Sequence, residues 1–81
     1  MYLVMIGGRL KLWGANLSGA DLNHVDLSYA DLSGADLSNT DLRGSHFLGA
    51  DLMYADLRGA TLDDAYFGWA ISTSLKLLRK R

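Results

Sequence analysis

The chain has 81 residues, a formal net charge of −1, no Cys and no Pro, and its nine acidic residues are all Asp. This length limits it to one domain, and the absence of Cys excludes a disulfide-stapled scaffold. A compact globule of this size buries only about 60% of its unfolded surface and is marginal without some other support.

The small net charge conceals an asymmetry. Residues 10–69 carry nine Asp against Lys11, Arg43 and Arg58, a balance of −6, whereas the last six residues carry Lys76, Arg79, Lys80 and Arg81 for +4. The body is acidic and the tail basic. Asp without Glu also argues against a helical surface, where Glu is the better helix former.

Residues 1–9 are expected to form an N-terminal strand or cap. The apolar run from Tyr2 to Ile6 is too short for a signal-peptide core and has no basic residue before it. No stretch approaches the roughly 20 apolar residues of a membrane span. The expected location is therefore the cytoplasm, with no membrane partner.

Residues 10–69 form a repeat. Its centres are Leu12, Leu17, Leu22, Leu27, Leu32, Leu37, Leu42, Phe47, Leu52, Leu57, Leu62 and Phe67, spaced five apart without a break. Two residues before each centre stands Ala in most quintets, with Leu10, Val25, Thr40 and Ser45 in the others. Directly before the centre stands Asp at 21, 26, 31, 36, 41, 51 and 56. Ser, Gly, Asn and Arg dominate the two positions after it. The unit is Ala-Asp-Leu-x-x.

A period of five suits neither common element. On a helix the centres would spray around every face, each step of five rotating the side chain by roughly 140° net. On a straight strand an odd period sends successive centres to opposite faces. Both conflicts vanish if the chain turns once per quintet. Ala and Leu, two apart, then share the inner side, Asp faces outward, and the x-x pair makes the corner. The two Phe, 20 residues apart, hint that four sides complete one turn. Walls about 10 Å apart would suit a Leu and Ala interior.

From Ala15-Asn16-Leu17-Ser18-Gly19 to Ala65-Tyr66-Phe67-Gly68-Trp69 the sequence resembles the pentapeptide-repeat family. The resemblance implies an all-β solenoid, a right-handed quadrilateral β-helix of about three coils here. His46, Thr61 and Tyr66 depart from the family's acid or amide position. Residues 70–81 are expected to form a C-terminal cap and basic tail. Ile71, Leu75 and Leu78 have the spacing of a short helix, with Ser72, Thr73 or Ser74 as N-cap, while Leu75-Lys76-Leu77 keeps a strand open.

Four surface features follow. Leu48, Met53, Tyr54, Tyr66 and Trp69 sit at outward or corner positions of two adjoining walls. They are interface candidates unless the C-terminal tail folds over them. The acidic surface comprises Asp21, Asp31, Asp36, Asp41, Asp51 and Asp56. Stacked carboxylates repel, so their oxygens are expected to accept hydrogen bonds from the turn N–H groups. His24 and His46 near Asp26 fit a surface ion pair better than a metal site. The basic tail lacks the interleaved aromatics of a nucleic-acid binder.

No catalytic residue, cofactor or metal is expected. There is no Cys, no phosphate-binding loop and no paired-acid cleft, and a filled interior leaves no obvious pocket. The expected function is a non-enzymatic structural or protein–protein interaction module. Its partner is an unidentified protein, or a second copy joined through the C-terminal end, and no direct nucleic-acid contact is expected. The resemblance also implies an alternative: a DNA mimic that binds a topoisomerase such as gyrase.

Overall fold

A corner every five residues builds the fold. The structure, a computed structural model, describes residues 4–6 and 9–74. At each corner the carbonyl of the central Leu or Phe accepts the N–H three residues on, from Leu12 with Ala15 at 3.0 Å to Phe67 with Ala70 at 3.0 Å. The residue two after the centre has positive φ throughout, from Gly14 at 65° to Ser74 at 58°. A hydrogen-bonded turn with its third residue in that region is type II.

Glycine adopts this conformation at no steric cost, and two corners separate that effect from crowding. A methyl group added at Gly14 would meet nothing within 4 Å, whereas one at Gly49 would lie 2.7 Å from the Tyr29 ring. Gly14→Ala is expected to cost about 1–2 kcal/mol, the left-handed penalty alone. Gly49→Ala is expected to cost more, and Tyr29→Ala should remove the excess. Equal melting temperatures for the two Gly variants would refute this packing.

Four quintets complete one turn of the coil. Parallel bridges join residues twenty apart: Lys11–Asp31–Asp51–Ile71, Asn16–Asp36–Asp56, Asp21–Asp41–Thr61 and Asp26–His46–Tyr66. These columns define walls 1 to 4 in that order. Successive turns are zipped by backbone bonds such as Leu32 N–H to Asp51 O at 2.8 Å and Asp51 N–H to Ala30 O at 2.9 Å. Strand β1 (Val4–Ile6) pairs antiparallel with β2 (Arg9–Lys11), which opens wall 1.

The core is the inside of the coil. Leu32, Leu37, Leu42, Phe47 and Leu52 are fully buried, together with Ala30, Ala35, Ala50 and Ala55. Phe47 and Phe67 stack with centroids 4.7 Å apart and ring planes 3° from parallel. Leu22, Leu62 and Phe67 pack against this core while only partly buried; they lie in the outer turns of the described stack. Thr40 and Ser45 occupy inner Ala positions, and each hydroxyl is satisfied by the carbonyl three residues back, at 2.7 and 2.6 Å.

The C-terminal boundary differs from expectation. The repeat geometry continues past residue 69: Ile71 N–H bonds Ala50 O at 2.8 Å, and Leu52 N–H bonds Ile71 O at 2.7 Å. A helix that included Ile71 would leave those rung groups without backbone partners. The repeat geometry therefore runs through Ser74 among the described residues, with Ile71 in a rung. Residues 75–81, with the basic tail and the rest of the expected cap, lie outside the described residues, as do residues 1–3 and 7–8.

Candidate interaction surface

The outer carboxylates serve the corners. In each quintet with Asp or Asn before the centre, Oδ1 accepts the N–H two residues on, as with Ser38 to Asp36 at 3.0 Å and Met53 to Asp51 at 3.0 Å. This local bond competes with no rung bond and fixes the turn. Side chains add to it. The Ser33 and Ser38 hydroxyls donate to Asp31 and Asp36 at 2.7 and 2.6 Å. Arg43 and Arg58 donate through Nε and Nη2 to both oxygens of Asp41 and Asp56, at 2.7–2.9 Å.

These bonds outweigh the stacking repulsion. The Ser38 hydroxyl and then its N–H hold Asp36 below the ordinary carboxylate range, against a smaller upward push from Asp56. Ser28 does the same for Asp26, and Ser33 for Asp31. The Arg43 side chain, followed by its N–H, draws Asp41 down furthest. The expected turn hydrogen bonds are therefore present.

The apolar surface gathers around wall 1. Its outward column is Lys11, Asp31, Asp51 and Ile71. The corner leading into it carries Tyr29, Gly49 and Trp69; its far margin carries Trp13, Met53 and Tyr54. Among the described residues, five of the six large exposed hydrophobics belong here: Trp13, Tyr29, Tyr54, Trp69 and Ile71, with Trp69 exposed at 87%. The sixth, Tyr66, lies on wall 4, its ring 6.4 Å from His46. Leu48 and Met53 are half-buried.

Sequence reasoning missed Trp13, Tyr29 and Ile71 as members of this surface. The period of twenty places Tyr29 above Trp69, and Trp13 in the column of Met53. That signal was available once the number of walls was known.

The histidines separate. The His24 ring lies over Gly44 and contacts Asn23 Oδ1 at 3.4 Å, while His46 takes its place in the wall 4 column. Among the described residues no group of three metal-ligating side chains forms.

This square coil, with Leu or Phe inside and Asp at the turn, has known counterparts. The family model for pentapeptide repeats, in eight copies, matches residues 9–39 and 30–68. The chain belongs to the pentapeptide-repeat family. Proteins of this family fold as right-handed quadrilateral β-helices and are generally non-enzymatic.

Among solved pentapeptide-repeat proteins, alr5209 from Nostoc PCC 7120 is 38% identical with a TM-score of 0.56, over 86% of this chain and 66% of its own. HetL, a pentapeptide-repeat protein involved in heterocyst differentiation regulation from Nostoc sp. strain PCC 7120, is 32% identical, over 80% of this chain and 37% of its own, with a TM-score of 0.35. Rfr23 from Cyanothece 51142 is 30% identical, over 88% of this chain and 60% of its own, with a TM-score of 0.39. The chain thus spans less than two thirds of the length of each. No curated protein matches it. Among the described residues of this pentapeptide-repeat chain, no helix is long and apolar enough to cross a membrane.

Proposed function

We propose that this β-helix, about three coils long, is a non-enzymatic protein–protein interaction module that docks its partner on wall 1. The carrying observation is the concentration of exposed aromatics on that wall and its two margins. Contiguous exposed apolar surface marks interfaces more often than it serves a fold, and aromatic side chains dominate the energetics of such surfaces. Tyr66 and Trp69 extend the surface toward the C-terminal turns, where a second copy is the other candidate partner.

The DNA-mimic alternative has weaker support. Mimicry of a phosphate backbone needs uncompensated negative charge at regular intervals, and Arg43 and Arg58 pair with Asp41 and Asp56 at 2.7 Å on walls 3 and 2. The chain is accordingly expected not to inhibit gyrase supercoiling.

Affinity capture with wild type, Tyr54→Asn/Trp69→Asn and Asp21→Asn tests the docking wall. The aromatic double variant is expected to lose the captured protein at an unchanged melting temperature, and the wall 3 variant to retain it. Light scattering of wild type and Trp69→Ser tests the second copy. If capture and mass are both indifferent to these aromatic substitutions, the proposal is wrong.

A further inference from the structure

The corner backbone sets the wall 1 aromatics apart from the residues at the other corners. On the corner between walls 2 and 3, the left-handed position holds Gly19, Asn39 and Gly59; between walls 3 and 4 it holds His24, Gly44 and Asp64. Gly, Asn, Asp and His are the residues that enter this region most readily. On the two corners bordering wall 1 the same position holds Gly14, Gly34, Gly49 and Ser74, but also Tyr29, Tyr54 and Trp69, at φ of 63°, 63° and 58°. Bulky residues pay a local penalty there. These three are 52%, 61% and 87% exposed, so burial does not offset it. Strain borne by exposed rings points to a use outside the chain.

Between the rings lies a carboxylate with spare capacity. Asp51 accepts the Met53 N–H at 3.0 Å through Oδ1. Met53 stands where other quintets supply a Ser or Arg side-chain donor, and a thioether cannot donate. Asp31, one turn away on the same wall, has the Ser33 hydroxyl at 2.7 Å and Lys11 at 3.8 Å. Asp21 on wall 3 resembles Asp51 in accepting a turn N–H, from Asn23 at 3.3 Å, but its corners hold Gly19 and His24 in place of Tyr or Trp.

Resting on the docking reading above, we propose that wall 1 seats an arginine side chain presented by a partner protein, with Asp51 as counter-ion and Tyr54, Trp69 and Tyr29 as the flanking rings. A guanidinium meets both halves of this site. It donates paired N–H groups to a carboxylate and stacks on aromatic faces. Lysine offers a compact, strongly hydrated charge and stacks less well. A second copy docked wall to wall suits the site poorly, since a two-fold pairing centred there opposes Asp31 and Asp51 of one copy to Asp51 and Asp31 of the other.

Amide NMR titration tests the seat with a blocked Gly-Thr-Arg-Thr-Gly peptide and its Lys and citrulline counterparts. The Arg peptide is expected to shift the Asp51, Met53, Tyr54 and Trp69 amides. Citrulline, the uncharged isostere, is expected to bind about tenfold more weakly, as is the Arg peptide to Asp51→Asn. Tyr54→Asn and Trp69→Asn should weaken binding without lowering the melting temperature, and Asp21→Asn should bind as wild type. Asp21→Asn losing as much affinity as Asp51→Asn would show general attraction to an acidic body and overturn the proposal. So would equal binding of citrulline, or the absence of any shift. If the peptide fails while partner capture still depends on Tyr54 and Trp69, the arginine seat falls and the docking wall stands.

Discussion

Phe47→Ala is expected to cost about 3–5 kcal/mol, the range for deleting a buried aromatic core side chain. Phe47 is fully buried and stacks on Phe67 at 4.7 Å. Neighbouring turns are held at a fixed rise by rung bonds on every wall, so they have little freedom to close the cavity. Small domains have only about 5–15 kcal/mol to lose, and a loss of this size lowers the melting temperature by about 15 °C or more. Leu22→Ala, at a partly buried position in an outer turn, should cost less than half as much. Thermal unfolding followed by far-UV circular dichroism distinguishes the two. Equal losses would mean that the middle of the stack carries no special share of stability, contrary to a nearest-neighbour core.

Acid is expected to unfold the chain from about pH 4 downward. Asp26, Asp31, Asp36 and Asp41 all titrate below their ordinary value in the folded state, chiefly through hydrogen bonds from the residue two positions on. The unfolded chain therefore takes up protons first. The stabilising contribution is whole above the unfolded pKa and is lost as pH falls from about 4 through the lower folded values. Asp36→Ala should lower the melting temperature at pH 7 and flatten its decline in acid. Were repulsion from Asp56 the stronger influence, the same substitution would raise the melting temperature, and the Asp-to-turn account would fail. Ser38→Ala, which removes the largest single cause, should return the Asp36 carboxyl toward the ordinary range by NMR titration.

Much of this architecture was legible because the repeat leaves few ways to bury Leu every five residues. Phe47 and Phe67 announced the number of walls by their separation, and they are the pair that stacks. The corner conformation was less visible. Gly14 and Gly34 suggest a left-handed turn, but Tyr29, Tyr54 and Trp69 have no preference for one, so the shared requirement emerges only from the backbone. Ile71 stands in a rung and not in a helix, and helical spacing could not foresee this because it is a local signal. The open rung of wall 1, with Leu52 N–H and Ala50 C=O waiting for partners, is not local. The aromatic surface was half legible: Met53, Tyr54 and Trp69 stood out by type, whereas Trp13 and Tyr29 joined them only through the twenty-residue column.

The twenty-residue closure also sets how such a chain can change length. Duplicating residues 30–49 would add one full turn and return every downstream residue to its original wall. Duplicating a single quintet ahead of residue 50 would instead rotate everything beyond it by a quarter turn. Tyr54 and Trp69 would move off the face they share with Trp13 and Tyr29, yet each Leu would still point inward. Lineages of this fold can therefore gain or lose single quintets at little cost to folding, while scrambling which surface residues act together. Insertions in multiples of four quintets leave a recognition face intact.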